Sequence, residues 1–270
     1  MCFKMSNQMY GKLFCGERKA MLLLNRTEMP NIDGGVSYQE ILKAQYDEDK
    51  SCYECISCKT FKNCKDVQER CPKCADHSDF YLLEFNGNSH QGFCEMKSDG
   101  GGWLVVGNIT VDDENSFQSL YNDHIRSPAT IKQLHKASSG NLLLAPELLR
   151  NLLSVGRYRE IRARCFKSWH QRTLDIVIYG EDAINKFAAK TSMNEGLMCP
   201  HVRFLQDDNS WMQSLNCNDY KMYNRPNYWD HFIFVASESH VHVHNSEMEC
   251  DDNDTDQGFT KEGYWLFYVR

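Results

Sequence analysis

The sequence predicts an α+β domain with mixed or antiparallel sheets and two short helices, preceded by a cysteine-rich segment. Short strand-like segments come first, two helix-like segments follow, and further strand-like segments end the chain. The 270 residues are 41% hydrophobic and 12% aromatic, which is enough for a packed core. We therefore expect an irregular segment with one short helix at 1–51, a cysteine-rich segment at 52–73 and a globular domain at 74–270.

The helices are predicted from capping signals. Ser37-x-x-Glu40 resembles a capping box and predicts a helix over about 38–48. Ser127-Pro128 begins a second helix, to about residue 138, and Pro146 begins a third, which ends near Gly156. The last two are the helices of the globular domain.

The strands are predicted from short apolar or alternating runs. In the first half these are residues 80–85 and 103–111. After the helices we expect strands at 160–165, 173–179, 201–205, 231–236 and 264–269. Together they provide enough strands for one or two sheets.

Charge and hydropathy exclude two classes of function. The net charge is −7 and the isoelectric point is about 5.8, whereas a nucleic-acid-binding protein needs a basic face. No apolar run approaches the roughly 20 residues that a membrane span requires. Nucleic acid is therefore not an expected partner, and no membrane span is expected.

Cysteines and sequons indicate secretion. Thirteen cysteines are unusual in a reducing compartment unless metals hold them. Asn25, Asn108 and Asn253 each begin an Asn-x-Thr sequon. No signal peptide is visible after Met1, so we expect the true start of the protein to lie upstream.

One segment carries a family resemblance. Residues 92–106 read Gly-Phe-Cys-Glu-Met-Lys-Ser-Asp-Gly-Gly-Gly-Trp-Leu-Val-Val. Three glycines permit positive φ and a sharp turn, after which Trp103 can enter the core and residues 104–106 can pair in a sheet. This segment resembles the opening of fibrinogen C-terminal domains, and intelectin-type lectins open in a similar way. The final Gly263-Tyr-Trp-Leu-Phe-Tyr-Val-Arg270 resembles the ending of invertebrate members.

The resemblance implies ligand recognition and adhesion without catalysis. It also implies a bond between Cys74 and Cys94. Within 74–270, Cys199–Cys217 is then the local expectation, and Cys165–Cys250 remains. The expected disulfide cysteines of the domain are thus Cys74, Cys94, Cys165, Cys199, Cys217 and Cys250.

The cysteine-rich segment leaves alternatives open. Cys55-x-x-Cys58 and Cys71-x-x-Cys74 have zinc-finger-like spacing, but disulfides are the preferred interpretation. Residues 1–73 contain seven cysteines, an odd number, so a disulfide-linked oligomer is a further hypothesis.

An acidic stretch suggests calcium. No Lys or Arg occurs from Pro226 to Thr260. Calcium takes six to eight oxygen ligands in flexible loops. The candidate ligands are Asp251, Asp252, Asp254 and Asp256. The alternative is a solvated acidic loop.

Two alternating patterns could also carry sites. His240, His242 and His244 would share one face of a strand, where two imidazoles could hold zinc or copper, although an exposed face with valines inward is the simpler interpretation. Arg157, Arg159, Arg162 and Arg164 predict a strand with a basic outer face that an anionic ligand could use.

No enzyme motif is present: the chain has no Gly-x-Ser-x-Gly, His-Glu-x-x-His or phosphate-binding glycine loop. The leading hypothesis is therefore a secreted, non-catalytic glycoprotein of the extracellular matrix or of cell-surface adhesion, with a protein or carbohydrate ligand. The alternatives are a calcium-dependent lectin for carbohydrate or acetyl groups, of innate-immunity type, and an acidic matrix protein associated with calcium or its mineral.

Overall fold

The computed structural model describes residues 60–113, 130–139, 141–154, 158–189, 197–222, 233–236, 239–243, 248–253 and 262–270. The chain separates into two compact units, residues 1–61 and 62–270. The predicted helix at 38–48 and Cys52, Cys55 and Cys58 lie outside the described residues. The described part of the first unit is the short strand β1 (Thr60–Phe61).

The second unit is built mainly from strands. In chain order they are β2 (Asp79–Phe85), β3 (Asn88–Glu95), β4 (Trp103–Val111), β5 (Asn141–Leu143), β6 (Glu160–Lys167), β7 (Arg172–Tyr179), β8 (Val202–Phe204), β9 (Tyr220–Met222), β10 (Ile233–Ala236), β11 (Ser239–Val243), β12 (Met248–Asn253) and β13 (Gly263–Val269).

These strands form two sheets. The larger has the order β2-β3-β4-β13-β6-β7-β8, with β5 also on β4, and the smaller has the order β12-β11-β10-β9. In the described residues, every strand pairing within the set from β2 to β13 is antiparallel. The last strand β13 lies between β4 and β6, so the end of the chain closes the centre of the larger sheet.

Three α-helices lie in the described part of this unit: α1 (Cys64–Arg70), α2 (Pro146–Ser154) and α3 (Glu181–Ala188). Asn63 caps α1 by accepting a hydrogen bond from the backbone N–H of Asp66 at 2.8 Å. Short 3₁₀ segments occupy Pro72–Cys74, Ser98–Gly100, Ile131–Ser139, Cys199–His201, Met212–Ser214 and Cys217–Asp219.

The glycine triplet turns the chain as its sequence predicts. Gly100, Gly101 and Gly102 have φ values of 77°, 71° and 74°. A Cβ on Gly101 would lie 2.3 Å from the backbone oxygen of Met96, so only glycine fits there. The turn places Trp103 fully inside the core, with the Arg270 guanidinium 4.1 Å from its ring centre. The fold class predicted from the sequence is confirmed.

Several elements differ from expectation. The described part of the predicted 127–138 helix is 3₁₀ over Ile131–Ser139. Helices α1 and α3 were not predicted, although Ala183, Ile184 and Phe187 give α3 a buried face. Helix α1 belongs to the second unit and precedes the expected domain start at residue 74. Residues 248–253 form a strand where an acidic loop was expected.

Candidate functional site

Three segments of the second unit meet at Cys250–Asp252, which we call the aspartate bulge. They are the end of β6 with the turn to β7, the chain between β8 and β9, and strand β11. Each reaches the bulge through a hydrogen bond: Arg172 from the start of β7, where the turn ends, Trp211 from the β8–β9 connection and Ser239 from β11. The bulge therefore organises this end of the molecule.

Asp251 is the additional residue of the bulge. Val241 lies opposite Cys250 and His240 opposite Asp252, so Asp251 has no partner position on β11. Its φ is 58°, a left-handed value that aspartate tolerates better than most residues. This conformation turns its side chain away from the regular alternation of the strand and into the interior, where it is fully buried.

The Asp251 carboxylate accepts four hydrogen bonds. Oδ2 accepts from Arg172 Nε at 2.5 Å and from the Trp211 backbone N–H at 2.7 Å. Oδ1 accepts from the Met212 backbone N–H at 3.0 Å and from Ser239 Oγ at 2.7 Å. Arg172 Nη2 also donates to the Asp251 backbone oxygen at 2.7 Å. One buried carboxylate thus fixes the β6–β7 turn and the β8–β9 connection together.

Asp252, the next residue of the bulge, forms an ion pair with Lys167. Its Oδ2 accepts from Lys167 Nζ at 2.5 Å and from the Cys250 backbone N–H at 2.8 Å, and both charged side chains are 0% exposed. Its Oδ1 is buried and has no hydrogen-bond partner among the described residues. Burial lowers the pKa of Lys167 more than the charges of Asp252 and Glu249 raise it.

His170 lies beside this pair. Its Nδ1 accepts from the backbone N–H of Arg172 at 3.0 Å, so Nε2 carries the proton that it donates to the Cys250 backbone oxygen at 2.9 Å. Burial, and then the Arg172 charge, lower the pKa of His170, which is therefore neutral at pH 7.

Two exposed indoles border the cluster. Trp169 is 40% exposed and Trp211 37% exposed, and the Arg172 side chain is 28% exposed. The Trp211 backbone is anchored on Asp251, while Trp169 contacts the ring of His170 edge-on at 4.8 Å between centres. We call Trp169, Arg172 and Trp211 the indole–arginine surface.

The indole–arginine surface was not found by sequence reasoning. The available signal was a Trp-His-x-Arg turn between two predicted strands. That signal does not reveal that Trp211, about 40 residues later, contacts the same carboxylate.

The expected calcium ligands are corrected in part. Asp251 and Asp252 lie on a strand, and their carboxylates bind Arg172 and Lys167, so they are not arranged around a cation loop. No group of three or more His, Cys, Asp or Glu in the described ranges is placed to hold a metal. Asp254 and Asp256 lie outside the described residues, and calcium there stays a prediction.

One expected disulfide is wrong. Cys94 bonds Cys64, and Cys74 bonds Cys71, so the implied Cys74–Cys94 bond does not form. Strand β3 places Cys94 against helix α1, an element that the sequence did not predict. Cys165–Cys250 and Cys199–Cys217 are joined as expected. Because Cys71 and Cys74 bond each other, they do not form half of a zinc site.

The three sequons lie in different surroundings. Asn108 lies inside β4, between β5 and β13, and its Nδ2 donates to the Ala137 backbone oxygen at 2.6 Å. A glycan bonded to that nitrogen would displace this contact, so the structure argues against Asn108 as an acceptor. Asn253 ends β12, and Asn25 lies outside the described residues.

The alternating patterns are partly corrected. Val241 and Val243 are buried, as the simpler interpretation requires, and His240 Nδ1 lies 3.0 Å from Glu249 Oε2. His244 lies outside the described residues, as does Arg157. The prediction of a basic outer face is wrong for Arg162, because this residue is 1% exposed and paired with Asp175.

Part of the chain matches the model of a known protein family. Residues 60–159 match the family described as fibrinogen beta and gamma chains, C-terminal globular domain. This match supports a divergent fibrinogen C-terminal-like domain, as the resemblance in the sequence implies. All three residues of the indole–arginine surface lie beyond the matched residues, so no ligand residue is transferred to it.

Two solved structures are similar to the fibrinogen-like domain. The fibrinogen-like globe domain of human ANGPTL6 is 16% identical at a TM-score of 0.30, over 54% of this chain and 55% of that chain. That of human ANGPTL2 is 12% identical at a TM-score of 0.34, over 78% of this chain and 98% of that chain. The match thus spans about half the length of the ANGPTL6 chain.

Domains of this family are generally non-catalytic and bind extracellular protein ligands. Within the part of the chain that the structure describes, no helix is both long and apolar enough to cross a bilayer.

Proposed function

We propose that this protein is a secreted, disulfide-bonded, non-catalytic glycoprotein of matrix or cell-surface adhesion type. It binds an extracellular protein ligand on the indole–arginine surface. The observation that carries this proposal is the exposure of Trp169 and Trp211 on segments fixed to the buried aspartate bulge.

The physical reason is the cost of exposing large apolar side chains. Among the described residues, the exposed large hydrophobic side chains are Trp169, Tyr179, Leu197 and Trp211. Two of the four border one anchored cluster, next to a partly exposed arginine. Tryptophan and arginine are, with tyrosine, the residues enriched at the energetic centres of protein interfaces. Because the bulge holds the Trp211 backbone and the ring of His170 next to Trp169, little conformational entropy is lost when a ligand binds.

The resemblance to the family and the disulfides support the extracellular part of the proposal. Four disulfides lie in the described residues of the second unit, and such bonds persist in oxidising surroundings.

The test is retention of the purified protein on surfaces coated with solubilised extracellular matrix proteins. We expect the double variant Trp169→Ala/Trp211→Ala to bind about tenfold more weakly or worse. Tyr179→Ala is the matched control, because Tyr179 is similarly exposed at the end of β7, and it should bind like the wild type. Equal retention of the double variant and the wild type would exclude this surface.

The lectin alternative predicts a different result. A calcium-dependent lectin would be retained on an N-acetylglucosamine resin and released by a chelator. A matrix protein associated with calcium mineral would instead take up many calcium ions weakly, without retention on that resin. Either result, without binding to matrix proteins, would overturn the proposal.

A further inference from the structure

Lys167 and Asp252 form an ion pair that is sealed from water. Lys167 Nζ lies 2.5 Å from Asp252 Oδ2, and both side chains are 0% exposed. The Trp265 indole, also fully buried, covers the ammonium group with its ring centre 5.9 Å from Nζ. Such a pair pays a large desolvation cost, which is offset only when the remaining polar atoms are also satisfied.

That condition is not met here. Asp252 Oδ2 accepts two hydrogen bonds, whereas Oδ1 has none among the described residues. His170 Nε2 lies 3.8 Å from Oδ1 but donates elsewhere, to the Cys250 backbone oxygen. Among the described residues, therefore, none makes a hydrogen bond to this buried carboxylate oxygen.

The two strands that carry the pair are already covalently joined. Cys165 lies two residues before Lys167 on β6, Cys250 lies two residues before Asp252 on β12, and the two cysteines form a disulfide. Because this bond fixes the strands next to the pair, amine and carboxyl are held together at a high effective concentration.

We propose that Lys167 and Asp252 condense into an intramolecular isopeptide bond. Lys167 Nζ bonds to the side-chain carbonyl carbon of Asp252, Cγ. The bond from Cγ to Oδ1 breaks, and two of the three ammonium protons leave with Oδ1 as water. The product is a neutral secondary amide whose carbonyl oxygen is Oδ2, and no oxidant, reductant or other reactant is consumed.

Each atom of the pair is suited to this step. Nucleophilic attack needs the neutral amine, and burial beside an indole favours the neutral form of a lysine. The Cys250 backbone N–H, 2.8 Å from Oδ2, stabilises the negative charge that develops on that oxygen during attack. The leaving oxygen is Oδ1, to which no described group donates a hydrogen bond. The amide also removes both buried charges.

The experiment is mass spectrometry of the full protein, purified from a secretory host, with its glycans removed and its disulfides reduced and alkylated. We expect the main species to be lighter than the sequence mass by one water. After trypsin, Lys167 should resist cleavage, and residues 165–172 should remain joined to the peptide that contains Asp252.

Two variants make the assignment specific. Lys167→Arg keeps the charge but should give the full mass, with no joined peptides. Asp252→Asn would form the same amide by losing ammonia instead of water, so its final mass should equal that of the wild type.

If the wild type has its full mass and trypsin cleaves after Lys167, the pair is an ordinary ion pair and the proposal is wrong. That result needs no variant to fold. It also leaves ligand binding by the indole–arginine surface unaffected.

Discussion

Arg162 and Asp175 form a two-pronged ion pair in the core. Arg162 Nε donates to Asp175 Oδ1 at 2.8 Å, and Nη2 donates to Oδ2 at 2.7 Å. Both side chains are 1% exposed, and they join β6 and β7 diagonally, because the residue directly opposite Arg162 is Val177. Removal of Asp175 would leave the buried Arg162 guanidinium without its closest counter-charge, since the Glu95 carboxylate lies 4.0 Å away.

We therefore predict that Asp175→Asn destabilises the domain strongly. The free energy of unfolding should fall by about 3–5 kcal/mol, since the buried guanidinium loses both hydrogen bonds to its closest carboxylate. The measurement is urea unfolding with the disulfides intact. Asp207→Asn is the control, because Asp207 pairs with Arg164 at the surface and is 64% exposed; it should cost less than about 1 kcal/mol. Equal losses would show that burial of the pair is unimportant.

Two substitutions at Asp251 separate the stabilisation due to its side-chain hydrogen bonds from the cost of its backbone conformation. Asp251→Ala removes four hydrogen bonds and places alanine at a positive φ, so we expect a loss of about 3 kcal/mol or more. Asp251→Asn retains an acceptor and a residue type that tolerates this φ, and should lose less. Urea unfolding followed by tryptophan fluorescence measures both, and an Asn variant as unstable as the Ala variant would contradict the assignment.

Stability should depend on the protonation of His170. Its pKa lies below the ordinary value of 6.5 in the folded protein, because it is buried beside Arg172. As pH falls below 6.5, the unfolded chain takes up the proton first, so stability decreases, by at most about 1.4 kcal/mol per pH unit. His170→Gln keeps a donor for the Cys250 oxygen and should remove this component. An unchanged pH profile of unfolding in the variant would refute it.

Asn108 should carry no glycan even when the protein is secreted. Asn108 lies within the larger sheet, and its Nδ2 donates a hydrogen bond to the Ala137 backbone oxygen. Enzymatic deglycosylation in ¹⁸O-labelled water marks every asparagine that carried a glycan, and we expect no label at Asn108. Asn25 and Asn253 serve as internal comparisons. Full labelling of Asn108 would mean that β4 is placed differently.

The disulfides should differ in their contribution to stability. Cys165 and Cys250 are 85 residues apart and Cys71 and Cys74 only 3 apart, so the first bond closes a much longer loop. By chain entropy, replacing both cysteines with serine should cost about 4–5 kcal/mol for the first bond and about 2 kcal/mol for the second. Thermal unfolding of the two double variants provides the comparison, and a larger loss from the short loop would contradict it.

Local signals in the sequence determined much of the architecture. The glycine triplet required a positive-φ turn before Trp103, and Pro146 marked the start of α2, because both depend on backbone sterics within a few residues. The apolar or alternating runs that form β2, β4, β6, β7 and β13 were predicted because the two-residue repeat of a strand is also a local signal. The secreted, family-level interpretation followed from cysteines and one motif.

Only the tertiary structure decided where the charges lie. The alternation of Arg162 and Arg164 on a strand is the same whether that face meets water or Asp175, and only the position of β7 settles it. Likewise, the sequence around Asp251 and Asp252 predicted a calcium loop. The pairing of β12 with β11, and the contacts of the two carboxylates with Arg172 and Lys167, decide otherwise. Ion-pair partners that are far apart in the sequence produce no periodic pattern that sequence analysis could detect. The burial of these charges is therefore decided only when the sheets assemble.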